Sequence, residues 1–275
     1  MDGHEETPPA SGSAERLAAI KRAVPISRML DYGLSGEDAA RLAALEPGDE
    51  SWDALAERLG EARLAEAEQW DREGHLSMAG VAREQAAAAF NIAQLSLNVD
   101  TPRKAKLYAR VSATLAAYAE CAAVDFKRLE LRAADGATLF GWEFPVNEAK
   151  GAIVVVGGLS GWGSSFFALA RSLTRRGFAV LLAEGPGQGE SRLISGLSLR
   201  VETLPLFDAF IDRAQAYSER VGLFGNSFGG LIAAQLVARR PDIAACCINC
   251  APLRVRTPQF PAEREQIGAA FGADG

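Results

Sequence analysis

The segment VGLFGNSFGGLIAAQLV, residues 221–237, constrains this chain most, because it takes a short apolar strand into a helix through a single serine flanked by glycines. Residues 221–225 are apolar and glycine-bounded, like a strand buried on both faces, and the residues after Ser227 carry apolar side chains at helical spacing. A junction this short forces the serine into a strained backbone conformation. Any Cβ at Gly225 or Gly229 would then meet neighbouring backbone. The serine side chain is pushed out above the sheet, so Gly225-Asn226-Ser227-Phe228-Gly229 exposes a hydroxyl as a candidate nucleophile. The N–H of Phe228, at the start of the helix, points toward the same space and is expected to bind a developing oxyanion.

The surrounding pattern supports a sheet at this point. From Gly151 onward buried strand and helix alternate: AIVVV then residues 165–175, FAVLLA then 202–217, VGLFG then 228–239, and finally IAACCIN. Such alternation makes a mostly parallel sheet with helices on its faces, an α/β fold. Ahead of it, Phe126, Leu129 and Leu131, the turn Asp135-Gly136 and the run from Leu139 to Phe144 form a hairpin. Residues 13–122 are rich in Ala, Leu, Glu and Arg and are expected to be almost entirely helical. Ser35, and Thr101 followed by Pro102, mark helix starts, and Gly74 marks a turn. The expected division is a disordered tail over 1–12, a helical cap domain over 13–122 and an α/β core over 123–275. Trp52, Trp70, Phe90, Tyr108 and Tyr118 are assigned to core packing and to no chemistry.

Two further glycine-rich loops follow strands. In Gly157-Gly158-Leu159-Ser160-Gly161-Trp162-Gly163 the second oxyanion donor is expected, with Leu159 the first choice and Ser160 the second. The segment from Glu184 to Ser191, EGPGQGES, lacks the Lys-Ser/Thr ending of a phosphate loop and leads into no immediate apolar helix. It is expected to shape one side of a cleft, with Glu184 capping a turn in preference to doing chemistry. Cys247 and Cys250 have C-x-x-C spacing, but no histidine lies nearby and no second pair completes four ligands. With Cys246 they are expected to be small buried strand residues, so no metal and no cofactor is expected.

Charge narrows the partners. The net charge is -6, scattered along the chain with no basic stripe, which argues against nucleic acid and for a small-molecule substrate. The polar, acidic start has no secretory signal, and no apolar stretch approaches the ~20 residues of a membrane span. A cytoplasmic protein without membrane contact is the expectation.

The helical stretch AEAEQWDREGHLSMAGVAREQAAAAFNIAQL, the GGLSG loop, EGPGQGES and GNSFGG together resemble the α/β-hydrolase superfamily. Within it they look like the FrsA-like esterases and the 2,6-dihydroxypseudooxynicotine hydrolase-like family, over residues 60 to 275. The resemblance implies a helical cap over a hydrolase core and a homodimer when complete. It also implies a serine hydrolase acting on an ester or a ketone-adjacent carbon-carbon bond through Ser227, with Phe228 and Leu159 as the oxyanion hole. Where the family commonly has Asp after the fourth strand, this chain has Glu184, which preserves the charge. Superfamily members place an Asp or Glu and then a His after the serine. Here the histidines are His4 and His75, both before it. The stretch after Ile248 resembles the opening of a lid segment, in which Glu263 and Glu265 fit lid or exposed helix positions equally. The expectation is a C-terminally truncated chain lacking the acid and the histidine. The alternative is a non-catalytic hydrolase-like protein that retains only the pocket.

Overall fold

A computed structural model describes residues 10–121, 125–252 and 261–272. The first six helices run in sequence: α1 (Ala10–Ala23), α2 (Ile26–Asp31), α3 (Gly36–Ala43), α4 (Trp52–Arg72), α5 (Leu76–Leu95) and α6 (Pro102–Ala119). The start signals act as local chemistry requires. The Ser35 hydroxyl accepts from the N–H of Asp38, and the Thr101 hydroxyl accepts from the N–H of Lys104 with Pro102 at the first turn. Helix α1 begins at Ala10, inside the stretch expected to be a tail; residues 1–9, and with them His4, lie outside the described residues.

The strands β1 (Lys127–Arg132) and β2 (Thr138–Phe144) form the hairpin across Asp135-Gly136, with Leu131 opposite Leu139. Then come β3 (Gly151–Val156), α7 (Phe167–Thr174), β4 (Phe178–Glu184), α8 (Gly189–Leu193), α9 (Asp208–Gln215), β5 (Val221–Asn226), α10 (Phe228–Arg239), β6 (Ala245–Asn249) and α11 (Pro261–Phe271). The sheet order is β1-β2-β4-β3-β5-β6, antiparallel at β1-β2-β4 and parallel from β4 to β6. Two helices differ from expectation. The short α8 follows the EGPGQG turn directly, and α9 starts at Asp208, later than the Glu202 that composition suggested, because a 3-10 turn over Leu204–Phe207 takes up Pro205.

Alternation along the buried strands sends side chains to two different layers. Val154, Val156, Leu181, Ala183 and Leu223 pack with Phe210, Ile211 and Ala214 of α9 and Ile232, Ala233 and Leu236 of α10. Trp142, Phe144, Val155, Val180 and Leu182 point the other way, onto Phe167 and Ala170 of α7 and onto Ala86, Phe90, Tyr108, Val111 and Leu115 of α5 and α6. Helices α5 and α6 therefore belong to the second layer, sharing one apolar cluster with the sheet. A separate cluster, including Met29, Leu42, Leu55, Leu59 and Ile92, holds α2 to α5 together.

The cysteine expectation fails. Cys246, Cys247 and Cys250 are exposed, as is every residue of β6, and Cys121 is half-buried. An apolar strand looks the same in sequence whether it lies inside a sheet or at its edge, and among the described residues β6 is hydrogen-bonded on one side only, to β5.

Candidate functional site

The strand order creates the site. Since β4 lies on one side of β3 and β5 on the other, the chain leaves the ends of β3 and β5 toward opposite layers and opens a crevice between them. The loop after β3, residues 157–162, and the turn after β5, Ser227, face each other there. A cleft of about 610 Å³ occupies the space, lined by Ser227, Gly158, Leu159 and Ser160 from these turns and by Arg28 and Asp31 from α2, among others.

Ser227 sits at φ 53°, ψ -124°, the strained conformation that the short junction demands. Its N–H donates to the carbonyl of Asn249 at 2.8 Å, and its carbonyl accepts from Gly230 at 2.9 Å, which fixes the turn from both sides. The flanking glycines are sterically required. A Cβ on Gly225 would lie 2.3 Å from the Gly229 carbonyl oxygen, and one on Gly229 would lie 2.2 Å from that of Gly157. The Ser227 side chain is exposed to the cleft, and its hydroxyl has no hydrogen-bond partner among the described residues.

The facing loop is held by hydrogen bonds within itself and by one side chain from outside. The Gly158 N–H donates to the Gly161 carbonyl at 2.9 Å, Trp162 Nε1 donates to the Leu159 carbonyl at 3.1 Å, and Gln188 Nε2 donates to the carbonyls of Gly157 and Gly158 at 2.6 and 3.1 Å. Gly158 lies beside the serine, since a Cβ there would stand 3.2 Å from Ser227 Cβ and 3.6 Å from its Oγ. Leu159 and Ser160, the two candidates for the second donor, thus begin beside Ser227 and line the cleft. Phe228 is the first residue of α10, where a helix leaves N–H groups without internal partners, while its ring packs edge-on against Phe271.

Behind the loop lies a buried polar cluster. Trp162 is flanked by Lys104 and Arg192, whose cationic ends lie 5.0 and 5.4 Å from its ring. Burial, with Arg192 close by, lowers the Lys104 amine to about 7. The fully buried Glu184 carboxylate accepts from the Tyr108 hydroxyl of α6 and, at 2.9 Å, from the N–H of Glu190; Tyr108 also lies 3.1 Å from Ser164 Oγ. Burial raises Glu184 to about 7, with the Glu190 carboxylate adding to the shift and the hydrogen bonds opposing it. The structure adds to two expectations here. Glu184 does cap the α8 turn, but it also ties the helical region to the sheet, and Tyr108 is a buried hydrogen-bonding group as well as core.

Glu184 makes a pH prediction with a definite sign. A carboxyl raised from 4.5 to about 7 favours the folded state when protonated, so its contribution is full below pH 4.5 and is lost as pH rises through 7. At ~1.4 kcal/mol per pKa unit the loss is about 3 kcal/mol. In urea unfolding, the stability of Glu184→Gln relative to the unsubstituted chain should rise by up to this amount between pH 5 and pH 8. Lys104 titrates near the same pH but cancels in that difference. A gap independent of pH contradicts the assignment.

The residues expected from sequence, Ser227, Phe228, Leu159 and Ser160, are brought together. His75 is not part of the cleft lining; it is the residue before α5 and packs edge-on against Trp70 at 5.6 Å. No group of three or more His, Cys, Asp or Glu able to hold a metal occurs among the described residues, and no described helix is long and apolar enough to cross a membrane. The Glu263 side chain lies outside the described residues, and Glu265 is exposed, accepting from Asn98 Nδ2 at 3.1 Å.

Comparison with solved structures decides the architecture. The chain superposes on the 2,6-dihydroxy-pseudo-oxynicotine hydrolase with a TM-score of 0.75 at 23% identity, over 88% of this chain and 70% of that one. It has the α/β-hydrolase fold. AbyA5 shares this α/β-hydrolase architecture with a TM-score of 0.64 at 22% identity, over 86% of this chain and 63% of its own. The family model for serine aminopeptidase, S33 (Hydrolase_4), matches residues 147–271, the part that holds the crevice. Phospholipase YtpA of Bacillus subtilis (strain 168) is 28% identical over 120 residues, 42% of this chain and 46% of YtpA. The chain therefore spans less than half the length of that curated relative.

Proposed function

We propose that this chain is the nucleophile-bearing part of a serine hydrolase that cleaves an ester, or a carbon-carbon bond next to a ketone, through Ser227. The observation that carries the reading is the Ser227 backbone: a non-glycine residue at φ 53° between strand and helix, sterically enforced by Gly225 and Gly229, with its hydroxyl facing a cleft. In the reaction Oγ attacks the substrate carbonyl, and the N–H groups of Phe228 and Leu159 receive the charge that forms on its oxygen. The tight hydrogen bonding of the loop over 157–162 supports this, because an oxyanion hole works by being organised before the charge appears. The substrate is a small molecule. Hydrolase relatives that break different bonds share this fold, so the fold does not choose between the two bond types.

Among the described residues no base contacts the hydroxyl, which limits turnover. Loss of a triad partner leaves ~10³ to 10⁴ over water from binding and the oxyanion hole. Hydrolysis of p-nitrophenyl acetate by this chain is expected to stay within that range and to disappear in Ser227→Ala. A rate unchanged by that substitution overturns the proposal. The alternative, a binding protein that keeps only the pocket, predicts saturable ester binding with no Ser227-dependent hydrolysis at all.

A further inference from the structure

Arg28 is the one basic side chain lining the cleft among the described residues. Other half-buried arginines close on carboxylates: Arg63 on Asp38, Arg83 on Asp71, Arg171 on Glu84 and Arg213 on Glu143. Arg28 has only neutral acceptors. Its Nε donates to Tyr32 Oη at 3.0 Å, Nη1 to the Ala23 carbonyl at 2.9 Å and Nη2 to Ser160 Oγ at 3.1 Å. A guanidinium carries five N–H donors, so one N–H on each terminal nitrogen is left over, and among the described residues the positive charge has no counter-ion. Asp31, the other charged residue of the lining, makes no ion pair with it and is exposed, where solvent screens its charge. The arginine lies close to the reacting centre. Ser160, which it holds, is two residues beyond Gly158, at most ~7 Å of chain from the residue that lies beside Ser227.

We propose that Arg28 is the specificity-determining residue of the cleft and that the substrate carries a carboxylate a few carbons from the bond attacked by Ser227. The two free N–H groups of a planar guanidinium suit a carboxylate, whose two oxygens accept in parallel. The half-esters of short dicarboxylic acids have this form: the ester carbonyl sits over Ser227 and the carboxylate against Arg28. The inference rests on the hydrolase reading of the same cleft and gives that reading a substrate class.

The test is equilibrium binding by calorimetry, which needs no turnover. The probes are monomethyl glutarate, neutral dimethyl glutarate and the cationic methyl 4-(trimethylammonio)butanoate. Monomethyl glutarate should bind about tenfold tighter than the dimethyl ester. Arg28→Met should abolish that preference, whereas Ser160→Ala, which removes the loop contact and leaves the charge, should keep it. Ser227→Trp, which fills the cleft, should abolish binding of all three. Equal affinities for the three esters that vanish with Ser227→Trp overturn the inference alone, as do tightest binding of the cationic ester and an anion preference that survives Arg28→Met. Binding that persists in Ser227→Trp places the esters outside the cleft and overturns the hydrolase reading with it.

Discussion

Gly229→Ala is expected to destabilise the chain by about 3 kcal/mol or more, lowering the melting temperature by on the order of 10 °C. The added methyl would lie 2.2 Å from the Gly157 carbonyl oxygen and 2.3 Å from that of Val156, both backbone atoms of the neighbouring strand and loop. Neither is the end of a flexible side chain, so relief requires α10 to move away from β3. In an ordinary helical position the same change is worth roughly 1 kcal/mol in the opposite direction. Gly268 in α11 provides that control, since a Cβ there meets nothing within 4 Å. Thermal melts of the two variants should therefore shift with opposite signs. A Gly229→Ala protein that melts at or above the unsubstituted chain would show that the elbow is looser than described. The same displacement would also carry Ser227 and the Phe228 N–H away from the loop over 157–162, so any residual hydrolysis should fall along with stability.

The second large effect concerns proton transfer from Ser227. The Ser227 hydroxyl faces a cleft of about 610 Å³ without a hydrogen-bond partner among the described residues. General-base assistance is worth ~10² to 10⁴ in rate. Imidazole added to the solution should supply part of it, because the cleft is open enough to admit a small base. The Ser227-dependent rate, taken as the difference from Ser227→Ala so that hydrolysis by imidazole itself is removed, should rise at least about tenfold and saturate. The rise should follow the fraction of neutral imidazole, increasing with pH up to about 7 and levelling above it. A difference that stays flat with imidazole would mean that a base is already in place.

Much of this arrangement was legible in sequence because it is local. The elbow at Ser227 follows from sterics within five residues, the starts of α3 and α6 from one hydroxyl and a nearby N–H, and the hairpin from one Asp-Gly turn. The residues that sequence did not reveal act across long separations. Arg28 meets Ser160 across 132 positions, and Tyr108 meets Glu184 across 76. No spacing rule links such pairs, and Tyr108 looks like any core aromatic until its hydroxyl is placed. The cysteines of β6 fail for a related reason, since burial of a strand depends on what lies beside it in the sheet and not on its own composition.

The most direct test of the central claim is to look for the acyl-enzyme. After incubation with p-nitrophenyl acetate and imidazole, and quenching in acid, peptide mass spectrometry should find one acetyl group, on the peptide that contains Ser227, and none on that peptide in Ser227→Ala. Acetylation confined to lysines or the amino terminus, with the Ser227 peptide unmodified while hydrolysis proceeds, would contradict the account.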